Sequence, residues 1–278
     1  MAQGRVPGLN GVSSPRIANA QRPDQLGLLG GLLALAVVAW LVTRYRMASM
    51  EAMPGMALGD LGFYVTVWVV MMAAMMIPSV APAVLRYDRL RGESLARGDG
   101  APIDATALFL CGYLLVWTAA GLVGYALVEL VRSLDPPFLA WDQAGRYVTA
   151  GVIVATAAYQ LTSVKEACLA ACRNPMLLAE RWRHRRAGAL EVGLRYGAWC
   201  LGCCWALMAA LFAMGVMSLG WMALIAAFIG AERLLAWPNA ARRAVALSLL
   251  VLGLGVAFFP ADVPGFAQPA GESMQMAR

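Results

Sequence analysis

Trp199-Cys200-Leu201-Gly202-Cys203-Cys204-Trp205 lies within residues 194–216, a run that is otherwise almost wholly apolar. A run of this length crosses the roughly 30 Å hydrocarbon core of a bilayer as a single helix. Wound that way, Cys200, Cys203 and Cys204 fall on neighbouring turns of one face, with their sulfurs directed into a common volume. Cys168 and Cys172 stand four residues apart, again on one helical face. Thiolates at such spacings bind a soft metal ion, carry out thiol–disulfide exchange, or pack as small apolar side chains.

The remainder of the chain sets the class. Of 278 residues, 61% are hydrophobic and only 14% charged, with a mean hydropathy of +0.66. A soluble domain of this length carries more charge. Apolar runs of about 18 or more residues recur, approximately at 26–43, 61–85, 105–131, 145–163, 194–216, 219–236 and 242–259. The expected fold is all-α, a polytopic transmembrane bundle of about seven spans over residues 25–260. Residues 1–24 and 261–278 read as disordered tails, rich in Gly and Pro and without apolar period. Only a few residues separate the fifth and sixth runs, so that pair is readable as a hairpin or as one bent element. The first run follows a polar segment without a clean small-x-small cleavage site and is expected to be retained rather than removed as a signal.

Charge distribution orients the bundle. With the N-terminus inside, the outer segments hold Arg44, Arg46, Arg132, Arg146 and Arg278, and the other 17 of the 22 Lys and Arg residues lie inside. The positive-inside rule therefore places the N-terminus on the inner, cytoplasmic side. The net charge of +6 then addresses an anionic inner leaflet, and no nucleic-acid-binding motif accompanies it. The segment Arg181-Trp182-Arg183-His184-Arg185-Arg186 reads as a basic amphipathic stretch on that leaflet. His184 is the only histidine, which excludes bis-histidine haem ligation within the chain.

In this orientation all six cysteines fall on the inner side, whereas methionines extend outward. Met47, Met50, Met53 and Met56 recur at every third position in the first outer loop, and span two carries the i,i+4 pairs Met71 with Met75 and Met72 with Met76. Met208 continues the face of Cys204 by one turn. Thioethers are soft, uncharged ligands that select Cu(I) over harder ions, although methionine is also an adaptable packer. Pro78 is expected to kink span two just below these pairs.

Lys165, the only lysine, and Arg173 stand within about two turns of Cys168 and Cys172. Cations there favour thiolate, while a lysine at this depth also snorkels to headgroups. Glu232-Arg233, near the inner end of span six, reads as a neighbouring pair reaching the membrane interface. Cys111, near the inner end of span three, reads as a small hydrophobe.

Taken together, these motifs resemble a bacterial family of predicted metal-binding integral membrane proteins, sometimes labelled copper chaperones. The matching residues are Trp68, Met71, Ala74, Met75, Met76 and Pro78; Tyr159, Gln160, Lys165, Cys168, Leu169, Cys172, Arg173 and Pro175; and Cys200, Gly202, Cys203, Cys204, Trp205 and Met208. Gly215, Met217, Trp221 and Met222 extend the match, which covers about residues 60–237. Ser163 departs from the pattern, standing where proline precedes the lysine, and so weakens the bend inferred there. The resemblance implies metal handling in the inner membrane.

The residues favour a Cu(I)-handling chaperone or transporter with Cys168, Cys172, Cys200, Cys203, Cys204, Met71, Met72, Met75, Met76 and Met208 as metal ligands. A step from thioether to thiolate makes inward transfer downhill. A metal-donor or metal-acceptor protein is the expected partner. Zinc on four cysteines is chemically possible. The alternative is a membrane thiol–disulfide oxidoreductase using Cys200 and Cys203. Against it stand the reducing compartment assigned to the cysteines and the absence of any cysteine in an outer loop.

Overall fold

The computed structural model describes residues 23–51, 61–96, 105–134, 146–174, 186–214 and 218–259. Both tails lie outside these segments almost entirely, as do Met53, Met56, His184 and the side chains of Met47 and Met50.

Among the described residues every element is helical: α1 (Pro23–Glu51), α2 (Leu61–Ala96), α3 (Ala105–Leu134), α4 (Arg146–Gln160), α5 (Ser163–Arg173), α6 (Arg186–Met214), α7 (Leu219–Leu234) and α8 (Pro238–Phe258). Helix is the element that satisfies every backbone polar group from within one apolar segment. Each of the seven apolar runs is mainly helical over its described residues, but they are not seven equal spans. Five helices (α1, α2, α3, α6 and α8) are long and apolar enough to cross a membrane, and α4 with α5 makes a sixth if the bent pair counts as one span. The run at 219–236 yields a helix of only 16 residues, short of the roughly 20 residues a crossing needs.

Span four is broken. Between α4 and α5 the axis turns by 65°. Leu161 and Thr162 donate i→i−3 bonds to Ala158 and Tyr159, tightening the last turn of α4. The Thr162 hydroxyl then accepts from the Lys165 amide as N-cap of α5, satisfying a donor that the restarted helix would leave open. Ser163 thus supports the bend without the proline of the family pattern, because the preceding threonine supplies the cap. By contrast α2 runs unbroken through Pro78 and Pro82.

Residues Lys165, Cys168, Leu169 and Cys172 form the buried face of α5, at the i, i+3, i+4, i+7 spacing of one helical stripe. That face rests on α6 and α7, and α6 also packs against α3 and α4. Small residues draw α3 and α6 together. A Cβ on Gly193 would collide with the Phe109 carbonyl oxygen, and one on Gly112 with that of Leu190. Close approach over small residues replaces the hydrophobic drive that lipid cannot supply between helices.

Candidate metal centre

The two cysteine-bearing helices meet. Cys172 Sγ of α5 lies 3.8 Å from Cys203 Sγ of α6, and Cys203 Sγ lies 3.3 Å from Cys204 Sγ. Cys200 Sγ approaches the Tyr113 hydroxyl of α3 at 3.1 Å, and the Cys203 thiol donates to the Cys200 carbonyl at 3.2 Å. Cys168 Sγ sits against Gly202, where a Cβ would come within 2.7 Å of the sulfur. Glycine inside the cysteine motif is what lets α5 settle this close to α6. All five of these cysteines are unpaired and buried, while Cys111 is exposed and belongs to no such cluster.

Hydroxyl groups lock the arrangement from two sides. The Tyr159 hydroxyl donates to the Gly202 carbonyl at 2.7 Å, and the Tyr196 hydroxyl donates to the Cys172 carbonyl at 3.2 Å. Each bond ties a cysteine-bearing segment to a neighbouring helix across the cluster.

The cation beside the thiols is neither of those expected. Arg233 of α7, only 7% exposed, points its Nη2 at the sulfurs of Cys203, Cys172 and Cys204, at 3.3, 3.5 and 3.9 Å. Lys165 turns away from the thiols. Its Nζ, fully buried, pairs with Glu232 Oε2 at 2.7 Å. Arg173 caps the end of α7 instead, donating to the carbonyls of Glu232, Arg233 and Leu235 at 2.7–2.8 Å, where the C-terminal carbonyls lack helical partners. Glu232 and Arg233 are therefore not an interfacial pair. The bend in span four brings α5 across the end of α7, so both residues gain buried partners that a straight helix would have left out of reach. The clue available in sequence was two ionisable residues within one apolar run, which in a membrane segment points to a functional partner by default.

The methionines lie in the same contiguous core as the thiols. Met71, Met72, Met75 and Met76 are each at most 1% exposed, and Met208 is 5% exposed. Along α2, Met72, Met75 and Met76 continue through Ser79, Pro82, Ala83 and Arg86 at i+3 and i+4 steps, which places them on one stripe. The lower part of that stripe, from Ser79 to Arg86, lines a pocket of about 240 Å³ whose opposite wall holds Cys172, Arg173, Tyr196 and Arg233.

The donor chemistry fits a soft ion. Thiolate and thioether suit Cu(I), whereas a structural zinc site wants four ligands in a closed tetrahedron. Among the described residues no three His, Cys, Asp or Glu side chains form a group able to hold a metal ion. The sulfurs instead meet in pairs, with a guanidinium against them.

Residues 65–256 match the PpoB2 family, described as copper chaperone. The chain belongs to this copper-chaperone family. The matched range takes in α5, α6 and α7 whole and all of α2 from Val65 onward, hence every thiol and methionine of the cluster. No curated protein and no solved structure matches the chain. Membership gives the protein a copper-related role, and its helices have the length and composition of a membrane protein.

Proposed function

We propose that the protein is a multi-pass protein of the bacterial inner membrane that takes up Cu(I) through methionine thioethers and holds it on buried thiols. Copper is the cargo. The observation that carries this reading is the meeting of Cys172 with Cys203 across two helices, 3.8 Å apart in the core. Two soft sulfurs at that separation can embrace one Cu(I) with little rearrangement, and Cys204, Cys200 and Cys168 stand ready to accept it by exchange. Met208 on α6, with Met71, Met72, Met75 and Met76 on α2, forms the weaker-binding approach. Passage from thioether to thiolate is then downhill without an energy source. The arginine-rich inner segments would seat the bundle on an anionic leaflet, and a donor or acceptor protein would complete the route.

Arg233 suits this role. A guanidinium against unloaded thiols supplies positive charge where the cargo cation would later sit, so loading exchanges one cation for another in a buried place.

The test is anaerobic loading of the reduced, detergent-solubilised chain with Cu(I), followed by metal counting and competition with a chromogenic Cu(I) chelator. Stoichiometric copper is expected, lost in Cys172→Ser and in Cys203→Ser but kept in Cys111→Ser. Copper content equal in all three variants would overturn the site. No copper at all, together with a reversible Cys200–Cys203 disulfide, would favour the oxidoreductase instead.

A further inference from the structure

The pocket beside Cys172 has a charge that the copper cargo does not explain. Arg86 of α2, Arg173 of α5 and Arg233 of α7 all line it, with Ser79, Tyr196 and the Cys172 thiol, and no acidic side chain is among its lining residues. The nearest carboxylate in sequence, Glu232, is committed to Lys165. Three guanidinium groups around one small cavity repel a bare cuprous ion and attract an anion. Arg233 adds a second, independent sign. Its Nη2 serves the thiols, yet its Nε and Nη1 are buried and have no hydrogen-bond partner among the described residues. Buried guanidinium donors without acceptors are costly, and an anion brought beside Arg233 offsets that uncompensated charge; a carboxylate is such an anion, and its hydrogen bonds to a guanidinium are charge-assisted.

We infer that this pocket docks a small carboxylate-bearing thiol that exchanges Cu(I) with Cys172. The inference rests on the thiol cluster holding Cu(I), as proposed above. The volume of about 240 Å³ lies just below the range of drug-sized ligand pockets and suits a low-molecular-weight thiol rather than a protein domain. Arg86, exposed on α2, meets the incoming carboxylate at the mouth. Arg233 meets it at the base, and the carrier's sulfur reaches the Cys172 side of the cavity. The exchange is a ligand substitution. The carrier sulfur forms a bond to copper as the Cys172 sulfur–copper bond breaks, and the carrier's thiol proton passes to the Cys172 sulfur. A second carrier thiol displaces Cys203 in the same way. Copper remains Cu(I) throughout, so no oxidant or reductant is required. The carrier departs as an anionic Cu(I) bis-thiolate.

The experiment compares two thiols as acceptors from the copper-loaded full-length chain. Glutathione carries carboxylates; cysteamine carries an amine and none. Unloading by glutathione is expected to exceed unloading by cysteamine by about tenfold or more, the scale of electrostatic focusing in a like-charged cleft. Arg86→Gln is expected to lower that ratio about 3- to 5-fold, and Arg86→Glu about tenfold. A copper-free arm uses S-methylglutathione, which has the carboxylates but no free thiol. Equilibrium dialysis should show it bound to the unloaded chain, more weakly to Arg86→Glu, and it should slow unloading by glutathione. Equal ratios in wild type and both variants, or S-methylglutathione binding indifferent to residue 86, would overturn the pocket. A chain that binds S-methylglutathione in an Arg86-dependent way but takes up no copper would keep the anion pocket and overturn the copper reading.

Discussion

Replacing Lys165 by methionine removes the ammonium from a pair in which both side chains are at most 1% exposed. The carboxylate of Glu232 would remain in the core with one oxygen, Oε1, already lacking a hydrogen-bond partner among the described residues. Removing one member of a buried ion pair costs about 3–5 kcal/mol, because the surviving charge has lost its compensation and cannot regain water. For a chain of this size that corresponds to a fall in midpoint of roughly 6–20 °C. The pair also fixes α7 against α5, and the next residue is Arg233, so an orphaned carboxylate would compete with the thiols for that guanidinium. Intrinsic fluorescence from the nine tryptophans can follow unfolding of Lys165→Met in mixed micelles, while maleimide labelling follows exposure of Cys172. The double variant Lys165→Met with Glu232→Gln should recover most of the loss, since exchanging both ions for neutral groups of similar volume is often close to neutral. A single variant within about 1 kcal/mol of wild type, or a double variant as damaged as the single, would refute the claim that an ionised buried pair joins these helices.

Two further substitutions probe the scaffold and the approach. Gly193→Ala should cost about 1–3 kcal/mol, read by the same unfolding experiment, because its Cβ would meet the Phe109 backbone oxygen and not a yielding side-chain tip. Met72→Leu with Met76→Leu conserves volume in a fully buried stripe, so stability should change by less than about 1.5 kcal/mol. The rate of Cu(I) acquisition from the medium, followed by chelator competition, should nonetheless fall if those thioethers form the approach.

The sequence by itself determined the helical class, because apolar runs of membrane length admit essentially one backbone solution, and it grouped most of the sulfur side chains by helix face. The spacing of Cys200, Cys203 and Cys204, and of Cys168 and Cys172, is local: i, i+3 and i+4 on a helix share a face whatever surrounds them. Tertiary structure alone decided which cysteines meet. The contact between Cys172 and Cys203 depends on a 65° turn set by the Thr162 cap, and on Gly202 leaving room for the Cys168 sulfur. The partners of the charges were equally beyond reach of spacing rules. Lys165 and Arg173, neighbours of the thiols along the chain, are drawn to Glu232 and to the open carbonyls ending α7, while Arg233, 29–61 residues away in sequence, faces the sulfurs. Periodicity reports which residues share a helix face. Which faces then share a core depends on where the chain bends and where a missing side chain lets two backbones close, and that made one wall of cysteines into a centre with a cation at its heart.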